Sequence, residues 1–485
     1  MISNQGSGSQ AHRDAAEGPD DLSGMRLLPD GLEAFETRAH LLRHAERSFD
    51  ALLYLCEHGV TTRVLVAEMI AAAERGVRIR LVVDDLSAIG VQKMLLALQT
   101  HPNIEIRLFN PMSFWRRYQW SHRLAMLFTL PRAHRRMHNK LWLVDGRFGI
   151  VGGRNMSDDY FIVNSQYNFA DLDMLVAGGV CAEQMQACFS AYWNGRCVRT
   201  LESLMGVGAR DRWRQLHEDL SALLSDETLA DSPFLPIHLG EPKVVTEGLG
   251  ELVRARGELL WDHPDKAVQR GYPPLEMSLI FRLGSVIERT RKHILIVSAY
   301  FIPSERDTLD LEALVARGVK LTVLTNSLNA SDAPMVTGAW APWRARLVDR
   351  GVRVHELREG HKPKRHRAHH FGAMASSLHG KAMVMDDERL FVGSFNFDPR
   401  SIWWNNEMGL LVHHRGLTAQ LAAIVERALE PASSFRVERD SASGELVWVT
   451  TDESHRERRF RREPGGLAAR LQKWVGALPL LRRLL

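Results

Sequence analysis

The sequence predicts an α/β protein built twice from one plan, and three observations carry that prediction. The pattern H-x-K-x₄-D, followed seven residues later by Gly, occurs at His138-Asn139-Lys140 to Asp145 with Gly152, and again at His379-Gly380-Lys381 to Asp386 with Gly393. Every one of these positions, and Asn155 with Asn396 after them, recurs at an offset of 241 residues. The apolar runs before each motif alternate strand-like and helix-like segments in the same order. Finally, 485 residues with 45% hydrophobic and 25% charged content are enough for two or three domains with real cores.

The elements follow in order. Phe49 to Leu55 is a short apolar run and reads as a strand. Thr61 to Arg75 has helical spacing through Val64, Leu65, Ala67, Met69, Ile70 and Ala73, and Gly76 stops it. Val77 to Asp84 alternates and then turns fully apolar, as a strand does on entering a buried sheet. Ile104 to Phe109 is a further strand, and the motif strand and Phe148 to Val151 come next. In the second half, His293 to Ser298 reads as a strand and Leu309 to Arg317 as a helix stopped by Gly318. Val319 to Leu324 and Gly351 to Leu357 are strands, before the second motif strand and Leu390 to Val392. Strands alternating with helices predict a mixed sheet flanked by helices, twice over.

The expected division is a disordered, Gly/Ser/Asp-rich N-terminus (1–25), a first lobe (26–215), a connecting segment (216–274), a second lobe (275–430) and a basic amphipathic C-terminal segment (431–485). The N-terminus has no apolar core of a signal peptide, and no run of 18 apolar residues predicts a spanning helix. Cys56, Cys181, Cys188 and Cys197 form neither a CxxC pair nor a dense framework, so reduced thiols and a cytosolic setting are expected. With a net charge of only +4, local arginine clusters matter more than the global balance.

A lone H-x-K on a strand is ordinary. Two, each with matching Asp, Gly and Asn, are not: with 21 His in the chain, one accidental H-x-K-x₄-D is expected roughly 0.03 times. On a strand, His138 and Lys140 project to one side. A histidine beside a lysine suits attack on a phosphodiester, whose transition state spreads charge over non-bridging oxygens. Lys140 and Lys381, with the amides of Asn155 and Asn396, are candidates to bind those oxygens. His138 and His379 can then serve as nucleophile and as acid/base across one phosphate. Each imidazole needs a carboxylate on its far nitrogen. Asp171 and Glu407, which begin matching segments 16 and 11 residues after the two asparagines, are assigned that role, crossing between repeats. Asp145 and Asp386 are expected to be structural. No cofactor or metal is called for, and no zinc-type ligand spacing is present.

At these residues, and in Arg136-Met137-His138-Asn139-Lys140, Gly152-Gly153-Arg154-Asn155 and Gly393-Ser394-Phe395-Asn396-Phe397-Asp398-Pro399-Arg400-Ser401, the chain resembles the phospholipase D superfamily, most closely the bacterial cardiolipin synthases of the C type. The resemblance runs from about residue 30 to about residue 430. It implies two phospholipase D-like lobes related by a pseudo-twofold axis with the active site between them, and His138 as nucleophile. It also implies a phosphatidyltransferase that makes cardiolipin from phosphatidylglycerol or phosphatidylethanolamine as donor and phosphatidylglycerol as acceptor. The C-type resemblance favours phosphatidylethanolamine. A phospholipase D hydrolase, a nuclease and a non-catalytic lipid-binding scaffold are the rival readings.

Three further segments bear on partners. Met112 to Arg136 is rich in arginine and aromatics, and Leu357 to Ser377 is rich in Lys, Arg and His; each directly precedes a motif. Leu467 to Leu485 carries an apolar stripe with Trp474 among basic residues, interrupted by Pro479, and five arginines lie just upstream (456, 458, 459, 461, 462). This pattern fits an interfacial helix on an anionic bilayer. The expected setting is peripheral, on the cytoplasmic face of a bacterial inner membrane, with no nucleic-acid partner and an oligomeric state the sequence leaves open.

Overall fold

The computed structural model describes residues 21–111, 134–161, 168–205, 210–224, 249–359, 377–452 and 454–477. The expectations placed on 1–20, on most of Met112–Arg136 and Leu357–Ser377, and on 478–485 with Pro479 lie outside the described residues.

The first half runs β1 (Ser23–Leu28), α1 (Gly31–Arg43), β2 (Ser48–Leu53), α2 (Val60–Glu74), β3 (Arg78–Asp84), α3 (Asp85–Leu98), β4 (Ile104–Phe109), β5 (Leu141–Val144), β6 (Phe148–Gly152), β7 (Phe169–Ala170), β8 (Asp173–Ala177), α4 (Gly179–Trp193), β9 (Val198–Thr200), α5 (Leu201–Met205) and α6 (Arg210–Leu224). The second half runs β10 (Val253–Trp261), α7 (Ile280–Glu288), β11 (His293–Val297), α8 (Glu305–Ala316), β12 (Lys320–Asn326), α9 (Pro334–Asp349), β13 (Arg353–Leu357), β14 (Ser377–Leu378), β15 (Lys381–Met385), β16 (Arg389–Gly393), β17 (Met408–His413), α10 (Arg415–Leu429), β18 (Ser434–Arg439), β19 (Leu446–Thr451), β20 (Glu457–Phe460) and α11 (Leu467–Gly476).

The predicted repeat is a repeat of topology. In the first half β2, β3 and β4 are parallel, and β5, β6, β8 and β1 continue the sheet antiparallel from β2. In the second half β11, β12 and β13 are parallel, and β15, β16, β17 and β10 continue from β11 in the same way. The halves meet edge to edge: β1 pairs antiparallel with β10, Gly24 opposite Arg254. Each repeat thus has its own mixed sheet, and the β1–β10 ladder joins the two into an 18-stranded sheet among the described residues.

Three apolar cores follow from this layout. One lies under α1–α3 in the first half, and one under α8 and α9 in the second. The third is shared: Met174, Val176, Cys181, Met185 and Phe189 belong to one cluster with Leu410, Val412, Leu417, Leu421 and Val425, so α4 and α10 both contribute to a core common to the two repeats. All four cysteines are free and buried.

Several expected boundaries are corrected. The strand β1 begins at Ser23, inside the stretch expected to be disordered, because it gains ladder partners on both edges, β8 and β10. The expected connector 216–274 contains β10, which pairs with β17 over six residues, Arg256 to Trp261. The second sheet does not end near 430: β18 pairs with β13, and β19 and β20 extend it. Finally, His138 and Lys140 are not within a strand. They lie in the extended segment before β5, and Lys381 is the first residue of β15.

Gly76 and Gly318 take φ of +95° and +88°, the left-handed turn that ends α2 and α8.

Candidate active site between the repeats

Each motif segment is held by the other repeat before its side chains come into play. The His138 N–H donates to Asn406 O at 2.8 Å, and Asn406 N–H to Arg136 O at 2.8 Å. The mirror contacts come from His379 and Gly380, whose N–H groups both donate to Ala170 O at 2.8 Å, while β14 pairs with β7. The residues after these acceptors are Asp171 and Glu407. Backbone pairing across the repeats therefore delivers each carboxylate to the opposite histidine.

The crossing is complete. His138 Nδ1 lies 2.8 Å from Glu407 Oε2, and His379 Nδ1 lies 2.7 Å from Asp171 Oδ2. Each carboxylate accepts Nδ1–H, which leaves Nε2 as the nitrogen that carries the lone pair. All eight candidate residues, His138, Lys140, Asn155, Asp171, His379, Lys381, Asn396 and Glu407, are buried.

The carboxylates are themselves anchored, and differently. Glu407 accepts from Ser394 Oγ at 2.5 Å and Ser401 Oγ at 3.0 Å, and its N–H donates to Asp262, which is ion-paired with the buried Lys266. Asp171 has a glycine, Gly153, where the second repeat has Ser394. A Cβ at Gly153 would stand 2.0 Å from Asp171 Oδ1, so only glycine lets that carboxylate in. Arg154 donates to Asp171 O at 2.8 Å and so fixes the segment from behind.

Burial sets the titration of the site. His379 is pushed down to about 4 by burial and by Lys381, against the pull of Asp171. His138 lies well below its ordinary value through burial, Lys140 and Lys381. Burial also pushes Lys381 down to about 8, despite Asp171 and Glu407, and lowers Lys140 strongly. For Asp171, burial alone would raise it, but His379, Lys381 and Arg154 outweigh burial and hold it at about 2. Glu407 moves up, burial prevailing over Lys140 and the serines. Neutral imidazoles beside Lys381, which at about 8 stays cationic at neutral pH, favour an entering anion.

Both lysines fold back on their own motif: Lys140 Nζ donates to His138 O at 2.8 Å, and Lys381 Nζ to His379 O. Asn155 Nδ2 donates to Tyr160 Oη at 2.8 Å, and Asn396 Oδ1 accepts from Tyr300 N at 3.5 Å. Asp145 and Asp386 lie away from the histidines. Asp145 takes φ +54° and accepts the N–H groups of Glu46, Arg47 and Ser48; Asp386 takes φ +53° and accepts those of Arg291, Lys292 and His293. They clamp the starts of β2 and β11 to the motif turns.

Some residues of the site escaped the sequence reading. The Tyr54 ring packs edge-on to His138 at 4.6 Å and lies 4.7 Å under Lys140 Nζ. Asp84 accepts from Met137 N at 2.9 Å, and Asn326, its counterpart at the end of β12, accepts from Leu378 N at 2.8 Å. Their shared place at a strand end, 242 residues apart, was the available signal. Among the described residues no group of three or more His, Cys, Asp or Glu is placed to hold a metal ion.

Comparison with known proteins shows the family and the fold. The family described as "Cardiolipin synthase, PLD-like domain" matches residues 39–193 and 283–429, one span for each repeat. The chain is 34% identical over 440 residues to cardiolipin synthase C of Escherichia coli (strain K12), covering 88% of each chain. It is 23% identical over 398 residues to a cardiolipin synthase of Staphylococcus aureus (strain Mu50), covering 82% of this chain and 65% of that one. Its fold is shared with phosphatidylserine synthase of Haemophilus influenzae Rd KW20, with a TM-score of 0.58 and 13% identity over 88% of this chain and 91% of that one. Two matched repeats that cover most of the chain, and the C-type relative above all, lead to one conclusion: the chain belongs to the cardiolipin synthase family of phospholipase D-like proteins.

Proposed function

We propose that the chain is a phosphatidyltransferase that makes cardiolipin, and that its two repeats supply one reaction centre. The observation that carries this reading is the pair of crossed histidine–carboxylate contacts, each joining one repeat to the other at under 3 Å.

His138 Nε2 attacks phosphorus of the donor phospholipid. The bond from phosphorus to the headgroup oxygen breaks, and His379, protonated on Nε2, gives its proton to that oxygen. The product is a phosphatidyl group on His138. The terminal hydroxyl of phosphatidylglycerol then enters, neutral His379 takes its proton, its oxygen attacks phosphorus, and the P–N bond breaks. Lys140, Lys381 and the amides of Asn155 and Asn396 bind the non-bridging oxygens. The bound phosphodiester brings a negative charge next to His379, which raises its proton affinity above that of the empty site. Donor candidates are phosphatidylglycerol and phosphatidylethanolamine. No step calls for a metal or cofactor, and nucleic acid is not a substrate in this reading.

The partner is an anionic bilayer surface, met peripherally from the cytoplasmic side of a bacterial inner membrane. Among the described residues no helix is long and apolar enough to cross a membrane. The helix α11 supports surface contact. It is docked on α9 through Gly338 and Gly476, where a Cβ on either would meet backbone at 2.0 Å or less, and Lys473 bonds Glu463, which also takes both Arg344 nitrogens. Its outer stripe, Leu467, Leu471 and Trp474, is 86%, 66% and 66% exposed. Large apolar side chains at i, i+4 and i+7, beside the exposed Arg461 and Arg462, suit an interfacial helix.

The test is to incubate the purified protein with phosphatidylglycerol liposomes, with and without phosphatidylethanolamine, and identify products by mass spectrometry. Cardiolipin with free glycerol or ethanolamine is the expected result and names the donor. Phosphatidic acid alone would make the protein a hydrolase instead.

A further inference from the structure

The repeats differ at one position where a hydroxyl meets a reacting nitrogen. Five residues after Asn155 stands Tyr160; five after Asn396 stands Ser401. Ser401 turns its hydroxyl to Glu407 Oε1 at 3.0 Å. Tyr160 reaches into the site: its Oη lies 3.3 Å from His379 Nε2. Its ring is stacked on Phe169 at 4.7 Å and stands edge-on to the imidazole at 5.0 Å, and the residue is 4% exposed.

Asp171 occupies Nδ1, so Nε2 is the nitrogen through which His379 exchanges protons. A phenol can donate to bare Nε2 or accept from Nε2–H. The Asn155 amide fills one lone pair of Tyr160 Oη at 2.8 Å, and what remains of the hydroxyl is aimed at Nε2. Burial and Asp171 keep the phenol protonated by raising it well above its ordinary value. An oxygen that trades a proton with Nε2 must come within about 3 Å of it. Tyr160 Oη stands 3.3 Å from Nε2, so an oxygen that displaces it from that nitrogen comes in next to the freed hydroxyl. Ser401 offers nothing of the kind to His138.

Resting on the reading above, we propose that Tyr160 is a further catalytic residue. Its hydroxyl donates to the headgroup oxygen as the P–O bond breaks, and to the acceptor oxygen as the new bond forms. The proton itself moves only between His379 Nε2 and that oxygen; the tyrosine keeps its own. This makes the pseudo-symmetric site directional, with His379 on the exchanging side.

The experiment compares wild type with Tyr160→Phe, which keeps the ring stack, on two donors in mixed micelles. One is the natural phospholipid; the other is phosphatidyl-p-nitrophenol, whose leaving group needs little help. With the natural donor, kcat should fall about 10- to 100-fold with KM within about twofold. The initial rate of nitrophenol release in the first turnover, before any acceptor step, should stay within about threefold of wild type. The ratio of the two rates does not depend on the folded fraction, so a loss of folded protein cannot produce it. Equal losses on both donors, or an unchanged kcat on the natural one, would overturn the proposal. His379→Ala is the control: turnover of natural lipid by that variant would instead overturn the underlying mechanism.

Discussion

Glu407 Oε2 lies 2.8 Å from Nδ1 of His138, a residue 269 positions earlier in the chain, and neither lies in the same repeat as the other. His379 and Asp171 repeat the relationship in reverse, 208 positions apart. Neither repeat alone contains a histidine with its carboxylate. Glu407→Gln and Asp171→Asn keep shape but remove the charge that supports each imidazolium. Each should lower kcat by about 10²-fold or more with little change in KM. Steady-state kinetics in mixed micelles checks this, and near-wild-type rates in either variant would remove the pairing from the mechanism.

The titration of His379 provides a second check. Its folded value of about 4 lies below the ordinary imidazole value, so the empty site holds it neutral. The sign for stability follows: as pH falls from about 6.5 toward 4, an unfolded chain binds this proton before the native one, and the native state loses stability. ¹⁵N NMR of the substrate-free protein should show Nε2 titrating near pH 4, and the midpoint should rise when a phosphodiester anion binds. A midpoint at or above 6.5 in the empty site would contradict the assignment.

Asp145 and Asp386 should behave as structural residues. Each accepts three backbone N–H groups at the start of β2 or β11. Asp145→Ala or Asp386→Ala should cost about 1–3 kcal/mol of stability, seen as a lower denaturation midpoint, with kcat within about threefold. A large loss of kcat in a fully folded variant would place them in the chemistry instead.

The outer face of α11 can be tested without disturbing its docked face. Leu471→Ser with Trp474→Ser should weaken sedimentation with anionic liposomes by about tenfold. Activity on detergent-dispersed lipid should be unchanged. Undiminished liposome binding would return the helix to a plain structural element.

Chelation is a further check. EDTA should leave cardiolipin formation unaffected, and inhibition reversed by one particular metal would show that the two-histidine scheme is incomplete.

The motifs were legible because their chemistry repeats at a fixed offset. The crossing of Asp171 and Glu407 was legible from where they stand after Asn155 and Asn396. What the sequence concealed has physical reasons. Ser23–Leu28 and Val253–Trp261 carry charged or small residues among apolar ones, and become strands through partners on both edges. The motif histidines stand just before their strands, because each takes its backbone partner from the other repeat instead of the neighbouring strand. Tyr160 could not be read from spacing, since its value lies in breaking the repeat. Three of the five upstream arginines, Arg456, Arg458 and Arg459, are committed to Asp452 or Glu457 and so are weaker lipid ligands than their number implied.

The most direct test of the central claim is to trap the covalent intermediate. His379→Ala, which cannot activate the acceptor, is mixed with phosphatidyl-p-nitrophenol, quenched and digested, and its peptides are mapped by mass spectrometry. The account predicts a phosphatidyl group on the peptide that contains His138, and none when His138→Ala is added. An adduct outside the two motifs, or nitrophenol release by the double variant at the rate of the single one, would contradict it.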